Sequence, residues 1–333
     1  MPDPSTLPAA MNPPVAMLLI AYNQRQTIAA AIEGALAQDY APLTIVVSDD
    51  ASTDDSFAVM QRSLDGYAGP HRVVLNRNPR NLGVGAHLSH AASLCPEAEL
   101  LFVTAGDDVS LPQRCRVVVD AWLANGKKVD LIAAPLEDVD AGGRVHAVIT
   151  PSDLSRYRNL RDWLADPPHV IGAAQAWTRR LLEHYGPLPE GVVAEDLIMV
   201  FRAIGLGGAI TLAEPLVRYR RGGISRRVRT LHASDVVARV LKNNRHALVE
   251  LPLLLTDARR MGQLDAVEAV LTARLERERF IRALFDAKST VQRLQVVLRA
   301  LSVPWSLRAR MAVYAICPAL LAPWFWLKRR VAR

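Results

Sequence analysis

The chain has 333 residues, half of them hydrophobic, a size and composition that support one large domain or two domains and exclude disorder over most of the length. Its three cysteines are far apart and form no CxxC or Cys/His cluster, which excludes a disulfide framework and a zinc site and fits a reducing cytosol. The net charge of +7 is uneven, because residues 287–333 carry nine Lys or Arg and no Asp or Glu, and the first 286 residues carry a net charge of −2.

This charge distribution separates two kinds of partner. A nucleic-acid-binding domain would carry a basic face on its folded body, whereas here the basic residues lie in a C-terminal tail beside apolar residues. The pattern favours an anionic membrane surface and argues against nucleic acid.

Strand and helix patterns alternate after a proline-rich arm. Residues 1–14 hold five prolines and predict a mobile arm, with no basic segment of the kind that opens a signal peptide. Val15–Ala21 is a continuous apolar run, which predicts a strand covered on both faces. The alternation continues with helices at 27–38, 56–64 and 86–94 and strands at 43–47, 72–75 and from Leu100. This order predicts an α/β fold with a mainly parallel, doubly wound sheet.

Polar pairs follow three of these strands: Tyr22-Asn23, Asp49-Asp50 and Asp107-Asp108. Ligands bind at the carboxyl ends of such strands, so the three pairs are expected to converge on one crevice. Adjacent buried acids are costly without a cation, and Mg²⁺ or Mn²⁺ carrying a substrate phosphate would meet that need. The alternative is a solvated loop with two surface acids. A dinucleotide site is disfavoured because Gly83-Val84-Gly85 lacks the third glycine of its fingerprint.

Two further acidic motifs lie downstream. Asp138 and Asp140 form a DxD that competes for the metal, but the pattern of a strand at 131–136 and another at 145–149 predicts a hairpin turn between them. Glu195-Asp196 opens a predicted helix that continues to Ile204. An acid there is either a structural partner of the helix N-terminus or a functional carboxylate.

The stretch Val15–Asp54, from VAMLLIAYN to SDDASTD, resembles the N-terminal half of a family 2 glycosyltransferase of the GT-A fold. Later segments agree with the family in order: Asn81-Leu82-Gly83, Gly106-Asp107-Asp108, Leu111-Pro112, Glu195-Asp196 and Arg218-Tyr219-Arg220. The resemblance covers 15–225 and implies a GT-A domain over those residues. It leaves 226–333 as a helical C-terminal region.

The resemblance implies a nucleotide-diphosphate sugar as donor and assigns roles to the strand-end residues. Tyr22 would pack against the base, Asp50 would accept a hydrogen bond from the base N3–H, and the backbone near Ile20 would line the same pocket. Asp107 would lie near the ribose or the metal. Asp108 would bind the divalent cation, Mn²⁺ or Mg²⁺, that stabilises the diphosphate leaving group.

The resemblance also assigns the acceptor side of the site. Asp196 would be the general base that takes a proton from the acceptor hydroxyl, and Glu195 would orient the acceptor. Arg220 or Arg221 would neutralise the diphosphate. The chain departs from the family where relatives carry a His after the Tyr-Arg pair, since Gly222 and Gly223 stand there instead. That departure puts a third protein ligand to the metal in doubt.

The C-terminal region predicts helices at 231–251, 252–261, 264–285 and 290–301. Residues 311–327 then form an uncharged segment of seventeen residues that Pro318 and Pro323 interrupt. A spanning helix needs about 20 residues. We therefore expect this segment to lie in the membrane interface with its tryptophans near the headgroups, the alternative being a helix packed on the catalytic domain.

The resemblance implies an inverting, metal-dependent hexosyl- or deoxyhexosyltransferase. It would act in the cytoplasm, at the inner face of the cell membrane, on a glycan or lipid-linked acceptor of a cell-surface polysaccharide. The alternative class is a non-catalytic nucleotide-sugar-binding or scaffold protein with the same fold. The acids at positions 50, 107, 108 and 196 argue against that alternative.

Overall fold

The computed structural model of the protein describes residues 12–140, 142–220 and 233–317. They belong to two compact units, Met1–Ile224 and Ser225–Arg333. Residues 1–11 of the predicted arm lie outside the described part of the chain. The end of that arm differs from the prediction, because the Pro13 carbonyl accepts a hydrogen bond from the Tyr40 hydroxyl at 2.6 Å and the Pro14 carbonyl accepts one from the Glu99 amide at 2.8 Å.

The strands of the first unit form two sheets. In chain order they are β1 (Val15–Ala21), β2 (Leu43–Asp49), β3 (Arg72–Arg77), β4 (Leu100–Ala105), β5 (Val109–Ser110), β6 (Leu131–Ala133), β7 (Leu136–Val139), β8 (Val145–Ile149), β9 (Gln175–Thr178), β10 (Ala209–Thr211) and β11 (Val217–Arg220). Seven make a sheet in the order β10-β6-β9-β4-β1-β2-β3, and four make a second sheet in the order β5-β11-β7-β8.

The four strands β3-β2-β1-β4 are parallel, as predicted. β1 and β2 are buried over almost their whole length, which explains their continuous apolar sequences. The pattern missed β9, which runs antiparallel between β4 and β6 and makes the sheet mixed. β9 reads Gln-Ala-Trp-Thr, so it lacks the apolar run that marks the other central strands.

Helices cover the seven-stranded sheet. They are α1 (Ile28–Leu36), α2 (Ser56–Leu64), α3 (Val84–Ser93), α4 (Arg114–Ala124), α5 (Leu160–Ala165), α6 (Arg179–Tyr185) and α7 (Glu195–Ile204). The inner face of α1 shows the expected spacing, with Ile28, Ala31, Ile32 and Ala35 buried.

The predicted strand at 131–136 is wrong in one respect, because it divides between two sheets. β6 belongs to the seven-stranded sheet, whereas β7 pairs with β8 and β11 in the smaller one. Pro135 separates them, since it has no amide to donate to a strand partner. The antiparallel pair β7–β8 confirms the predicted hairpin.

The second unit is helical, with α8 (Ala233–Arg260), α9 (Leu264–Asp286), α10 (Thr290–Arg299) and α11 (Trp305–Ile316). The predicted break at Pro252 is wrong, because α8 continues through it. Proline removes one helical hydrogen bond and would normally end a helix. Here α8 packs along α9, and this packing holds the helix together across Pro252.

The predicted membrane segment at 311–327 is described only in part. It begins inside α11, whose Met311 packs in an apolar cluster with Phe280 and Val297. Residues 318–327, with Trp324 and Trp326, lie outside the described part of the chain. None of the described helices combines the length and apolar character that crossing a bilayer requires.

Candidate active site

Three parallel strands end at one edge of the seven-stranded sheet. β1 leads into Tyr22, β2 into Asp50 and β4 into Gly106. Backbone hydrogen bonds join these ends, from the Asp50 amide to the Ala21 carbonyl at 2.9 Å and from the Gly106 amide to the Ile20 carbonyl at 3.0 Å. The predicted convergence of the strand ends is confirmed.

Gly106 lies where the turn after β4 passes closest to the turn after β1. A Cβ atom at this position would lie 2.5 Å from Gln24 Oε1, 2.7 Å from Ala21 Cβ and 3.0 Å from Ile28 Cδ1. The Thr27 hydroxyl donates a hydrogen bond to the Gly106 carbonyl at 2.8 Å. The crowding leaves no room for an acidic side chain here, so the carboxylates begin at Asp107.

Asp107 and Asp108 form the acidic pair of the site. Asp107 is half-buried and accepts a hydrogen bond from the Gln24 side chain, and burial raises its pKa. Asp108 is buried, and burial together with the adjacent Asp107 carboxylate raises the pKa of Asp108 to about 8. The Arg220 amide at the end of β11 donates to Asp108 Oδ1 at 3.0 Å, and the positive charge of Arg220 acts on both carboxyl groups.

This pair fits a divalent cation. Burial and mutual repulsion both disfavour the charged carboxylates, and a cation bound between them would offset both effects. Mg²⁺ usually takes one or two protein carboxylates and completes its shell with water and substrate phosphate. In the described part of the chain no three Asp, Glu, His or Cys side chains are grouped as metal ligands. Gly222 and Gly223, where relatives carry a His, lie outside it.

Arg114 is a buried cation beneath the acidic pair. Its guanidinium donates to Ser110 Oγ at 2.9 Å, to the Val103 carbonyl at 2.8 Å and to the Gln175 carbonyl at 3.2 Å. Its charge also acts on Asp108 and opposes the effect of burial on that carboxyl group. Arg114 thus ties β4, β5 and β9 together behind the acids.

The sequence analysis missed Arg114, although a signal was present. Residues 114, 118 and 122 of α4 share one helical face, and the second and third are the apolar Val118 and Trp122. A charged residue at the start of a buried face indicates an internal partner.

Asp50 is held by a loop that follows β3. Its Oδ1 accepts hydrogen bonds from Asn78 Nδ2 at 2.8 Å and from the Leu82 amide at 2.9 Å, and its Oδ2 accepts one from the Gly83 amide at 3.0 Å. The residue is 3% exposed. A carboxylate offers about four acceptor positions, so roughly one remains for a ligand. Asp50 therefore fixes the segment around Gly83.

A chain of buried polar groups continues behind Asp50. Asn78 Oδ1 accepts from Asn76 Nδ2 at 2.9 Å, Asn76 also donates to Ser48 Oγ at 2.9 Å, and Ser48 Oγ lies 2.6 Å from His87 Nε2. His87 Nδ1 lies 3.9 Å from Asp50 Oδ1, which is beyond hydrogen-bond distance. Burial lowers the pKa of His87 to about 4, so the imidazole is neutral at pH 7.

Tyr22 and Ile20 flank the crevice on the side of β1. Tyr22 is 46% exposed, which leaves a face of its ring open to solvent. The next residue, Asn23, has a φ of 54° and accepts a hydrogen bond from the Thr53 amide at 2.8 Å. This bond holds the turn after β1 against the turn after β2, with Tyr22 at its start.

Glu195 and Asp196 form the first turn of α7, as predicted. Asp196 Oδ1 accepts a hydrogen bond from the Leu197 amide at 2.7 Å, and the Gln175 side chain donates to the Asp196 carbonyl at 3.3 Å. Gly172 lies against this turn, since a Cβ atom there would be 2.8 Å from Glu195 Oε1. The short helical turn Gly172–Ala174 packs on β4 and β11, so it connects the two acids to the strands that carry Asp107 and Arg220.

The loop before α7, residues 186–194, rests on α3. The Gly85 amide donates to the Val192 carbonyl at 3.3 Å, and the Leu188 amide donates to Ser89 Oγ at 2.8 Å. A Cβ atom on Gly85 would lie 2.9 Å from Val192 Cβ. This contact was not predicted, because it joins positions about a hundred residues apart.

The competing DxD lies in the β7–β8 hairpin. Asp140 Oδ1 accepts from the amides of Gly142 at 2.9 Å and Arg144 at 3.1 Å, and Asp140 Oδ2 lies 2.7 Å from His146 Nε2. Asp140 thus stabilises the turn, in agreement with the structural interpretation of this motif.

Comparison with known proteins identifies the class. The family model of glycosyl transferase family 2 matches residues 17–186. The succinoglycan biosynthesis protein ExoO of Rhizobium meliloti (strain 1021) is 29% identical over 326 residues, which is 90% of this chain and 89% of that protein.

Solved structures give the same fold. TarS of S. aureus in complex with UDP-GlcNAc superposes with a TM-score of 0.52 at 15% identity and covers 96% of this chain and 92% of that one. The mannosyltransferase PcManGT of Pyrobaculum calidifontis, in complex with GDP-Man and Mn²⁺, superposes with a TM-score of 0.50 at 18% identity and covers 93% and 87%. The GT-A fold expected from the sequence is confirmed.

The chain is a glycosyltransferase with a helical C-terminal region. It belongs to glycosyl transferase family 2.

Proposed function

We propose that the protein transfers a sugar, a hexose or deoxyhexose, from a nucleotide-diphosphate donor to an acceptor hydroxyl with inversion at the anomeric carbon. The observation that carries the proposal is the pair of half-buried Asp107 and buried Asp108 at the same sheet edge as Tyr22 and Asp50. A diphosphate leaving group gains negative charge as the glycosidic bond breaks. A site for a divalent cation beside a base pocket meets that need.

On the donor side, the exposed ring of Tyr22 packs against the base, with the Ile20 backbone at the edge of the pocket. The Asp50 carboxylate already accepts hydrogen bonds from Asn78, Leu82 and Gly83, and its remaining acceptor position takes the base N3–H. Arg220, whose charge already acts on the acidic pair, faces the diphosphate.

Asp108 would hold Mn²⁺ or Mg²⁺, with Asp107 beside the metal or the ribose. The cation, when bound, supplies charge stabilisation to the leaving diphosphate. The buried Arg114 keeps the two acids in position through its bonds to β4 and β5. PcManGT supports the metal assignment as a fold relative whose structure contains Mn²⁺.

On the acceptor side, Asp196 removes the proton from the attacking hydroxyl and Glu195 orients the acceptor. Single displacement with one base produces inversion. A role as helix partner alone is the alternative, since Asp196 does accept the Leu197 amide.

The acceptor is a glycan or a lipid-linked sugar in polysaccharide biosynthesis, which the similarity to a succinoglycan biosynthesis protein supports. An enzyme that acts on such an acceptor meets the acceptor at the inner face of the cell membrane. The nine basic residues of 287–333 would hold the protein there on anionic lipid as a peripheral protein.

A thermal-shift screen of nucleotide sugars with and without Mn²⁺ tests the proposal. One donor should raise the melting temperature as ligand binding stabilises the fold, and Asp108→Asn should abolish the Mn²⁺-dependent part of that shift. Asp140→Asn is the matched control, since Asp140 belongs to the hairpin turn. A non-catalytic sugar-binding protein would show the shift but no donor hydrolysis in the absence of acceptor. If Asp108→Asn keeps the full Mn²⁺-dependent shift, the metal assignment is wrong.

A further inference from the structure

Helix α10 exposes a row of apolar side chains. Val291, Leu294 and Leu298 are 65%, 49% and 65% exposed. Their spacing of three and four residues places them on one helical face. The row continues into Leu301, which is 81% exposed, and Trp305, which is 60% exposed. We call these five residues the α10 stripe.

The stripe is separate from the face by which α10 packs in its unit. Val297 is buried and Val296 is partly buried, both in the apolar cluster around Phe280. A capping box at Ser289 and Gln292 fixes the first turn of the helix. The helix is therefore anchored on one side and apolar on the other.

The charged residues of the segment that carries the stripe are all of one sign. Residues 287–317 contain five Lys or Arg and no Asp or Glu. Arg299 is exposed and, at 100° per residue, lies on one border of the stripe, and Lys288 is exposed just before the N-cap of α10. The Arg308 guanidinium stacks on Trp305, with its carbon 5.1 Å from the ring centroid.

We propose that the α10 stripe is the surface by which this enzyme lies on an anionic lipid bilayer. The apolar side chains enter the boundary between headgroups and acyl chains, and Lys288 and Arg299 meet the lipid phosphates. The inference rests on the proposed membrane association and assigns it to α10, whereas the sequence pattern pointed to residues 311–327.

Charge selects lipid over a second copy of the chain. Two stripes packed against each other would bring the basic residues of both copies together, with no acid in 287–317 to pair with them. An anionic bilayer complements both the apolar row and the positive border.

The test uses full-length protein and sedimentation with vesicles. Wild type should bind vesicles of phosphatidylcholine mixed with phosphatidylglycerol, and pure phosphatidylcholine more weakly. The double variant Leu294→Gln/Leu298→Gln should lose affinity for the mixed vesicles by about tenfold or more. Val270→Gln, a similar change at a 38% exposed position of α9, is the matched control and should bind as wild type does. Circular dichroism checks that all variants stay helical.

A second readout does not depend on the double variant. A polarity-sensitive fluorophore on Leu298→Cys in a Cys317→Ser background should report an apolar surrounding when mixed vesicles are added, and the same label on Val270→Cys should not.

If the double variant binds as wild type does and the label at 298 stays in water, the stripe is not the contact, while membrane association itself stands. If wild type binds neither vesicle, the membrane association fails as well. A wild-type dimer in light scattering that the double variant dissociates, without vesicle binding, would make the stripe a subunit interface and overturn the proposal.

Discussion

Two carboxylates of this site, Asp108 and Asp196, have different surroundings. Asp108 is buried next to a second acid, and its pKa is raised to about 8, so a cation is needed to keep it charged at neutral pH. Asp196 lies in the first turn of α7, where the helix dipole favours a negative charge. A bound cation would stabilise the charged form of Asp108, whereas the helix itself stabilises the charged form of Asp196.

Asp196→Asn should separate chemistry from donor binding. The base acts only on the acceptor, so the rate of sugar transfer should fall by roughly 10²- to 10⁴-fold. Donor and Mn²⁺ should still produce the wild-type thermal shift. Glu183→Gln, an exposed acid on the neighbouring α6, is the control. A loss of donor binding in Asp196→Asn would instead place this residue in the nucleotide pocket.

His87 should make the fold sensitive to acid. Its pKa is about 4 in the folded protein and about 6.5 when unfolded, so only the unfolded chain takes up its proton as the pH falls between these values. The associated stability is complete above pH 6.5 and declines below it, by about 2 kcal/mol at pH 5.

Urea unfolding of wild type and His87→Gln at pH 7.5 and pH 5 measures this effect. The variant cannot titrate at position 87, so its stability should change less between the two pH values. The nearby Asp49, Asp50 and His90, whose charges act on His87, are present in both proteins. Equal losses in the two proteins would show that His87 does not carry the pH dependence.

At the level of elements, the site depends on loops that are pinned to distant helices. Asp50 holds the loop before α3 through the Leu82 and Gly83 amides, and α3 in turn holds the loop before α7 through Gly85 and Val192. The proposed donor and acceptor sides of the site thus share one support.

Gly85→Ala tests this support. The added methyl group would lie 2.9 Å from Val192 Cβ, so the loop before α7 must shift. We expect a net destabilisation of about 1–3 kcal/mol, despite the better helix propensity of alanine. The rate of transfer should fall more than donor affinity does. Ser93→Ala, at an exposed position of the same helix, is the control, and equal transfer rates in the two variants would exclude a role for the contact.

At the scale of the whole molecule, the three cysteines report on packing in both units. Cys95 and Cys115 are buried, and burial raises their thiol pKa values to about 11 and about 12, whereas Cys317 is exposed. Only a thiolate at the surface reacts quickly with a disulfide reagent.

Titration of the native protein with Ellman's reagent at pH 8 should therefore release about one rapid equivalent of thiolate, and about three in denaturant. Cys317→Ser should remove the rapid equivalent and leave the other two unreactive until unfolding. Rapid reaction of a second thiol in the native protein would contradict the burial of Cys95 or Cys115.

The sequence by itself determined the first half of the sheet and the position of the acids. A strand covered on both faces must be apolar throughout, so β1, β2 and β4 were visible as runs, and the polar residues after them had to meet at one edge. The positions of the polar pairs at these strand ends and the start of α7 at Glu195 were also predicted correctly, because both follow from the local sequence. These features depend on residues close in the chain.

Only the tertiary structure decided what depends on distant partners. β9 is a strand because β4 and β6 pair with it on either side, and α8 passes Pro252 because α9 packs along it. Arg114 is tolerated in the interior because its guanidinium donates hydrogen bonds to the carbonyls of Val103 and Gln175, which are far apart in sequence. The physical reason is the same in all three cases. A local sequence pattern indicates which groups would be unfavourable to bury, whereas the contacts that offset this cost are made by residues elsewhere in the chain.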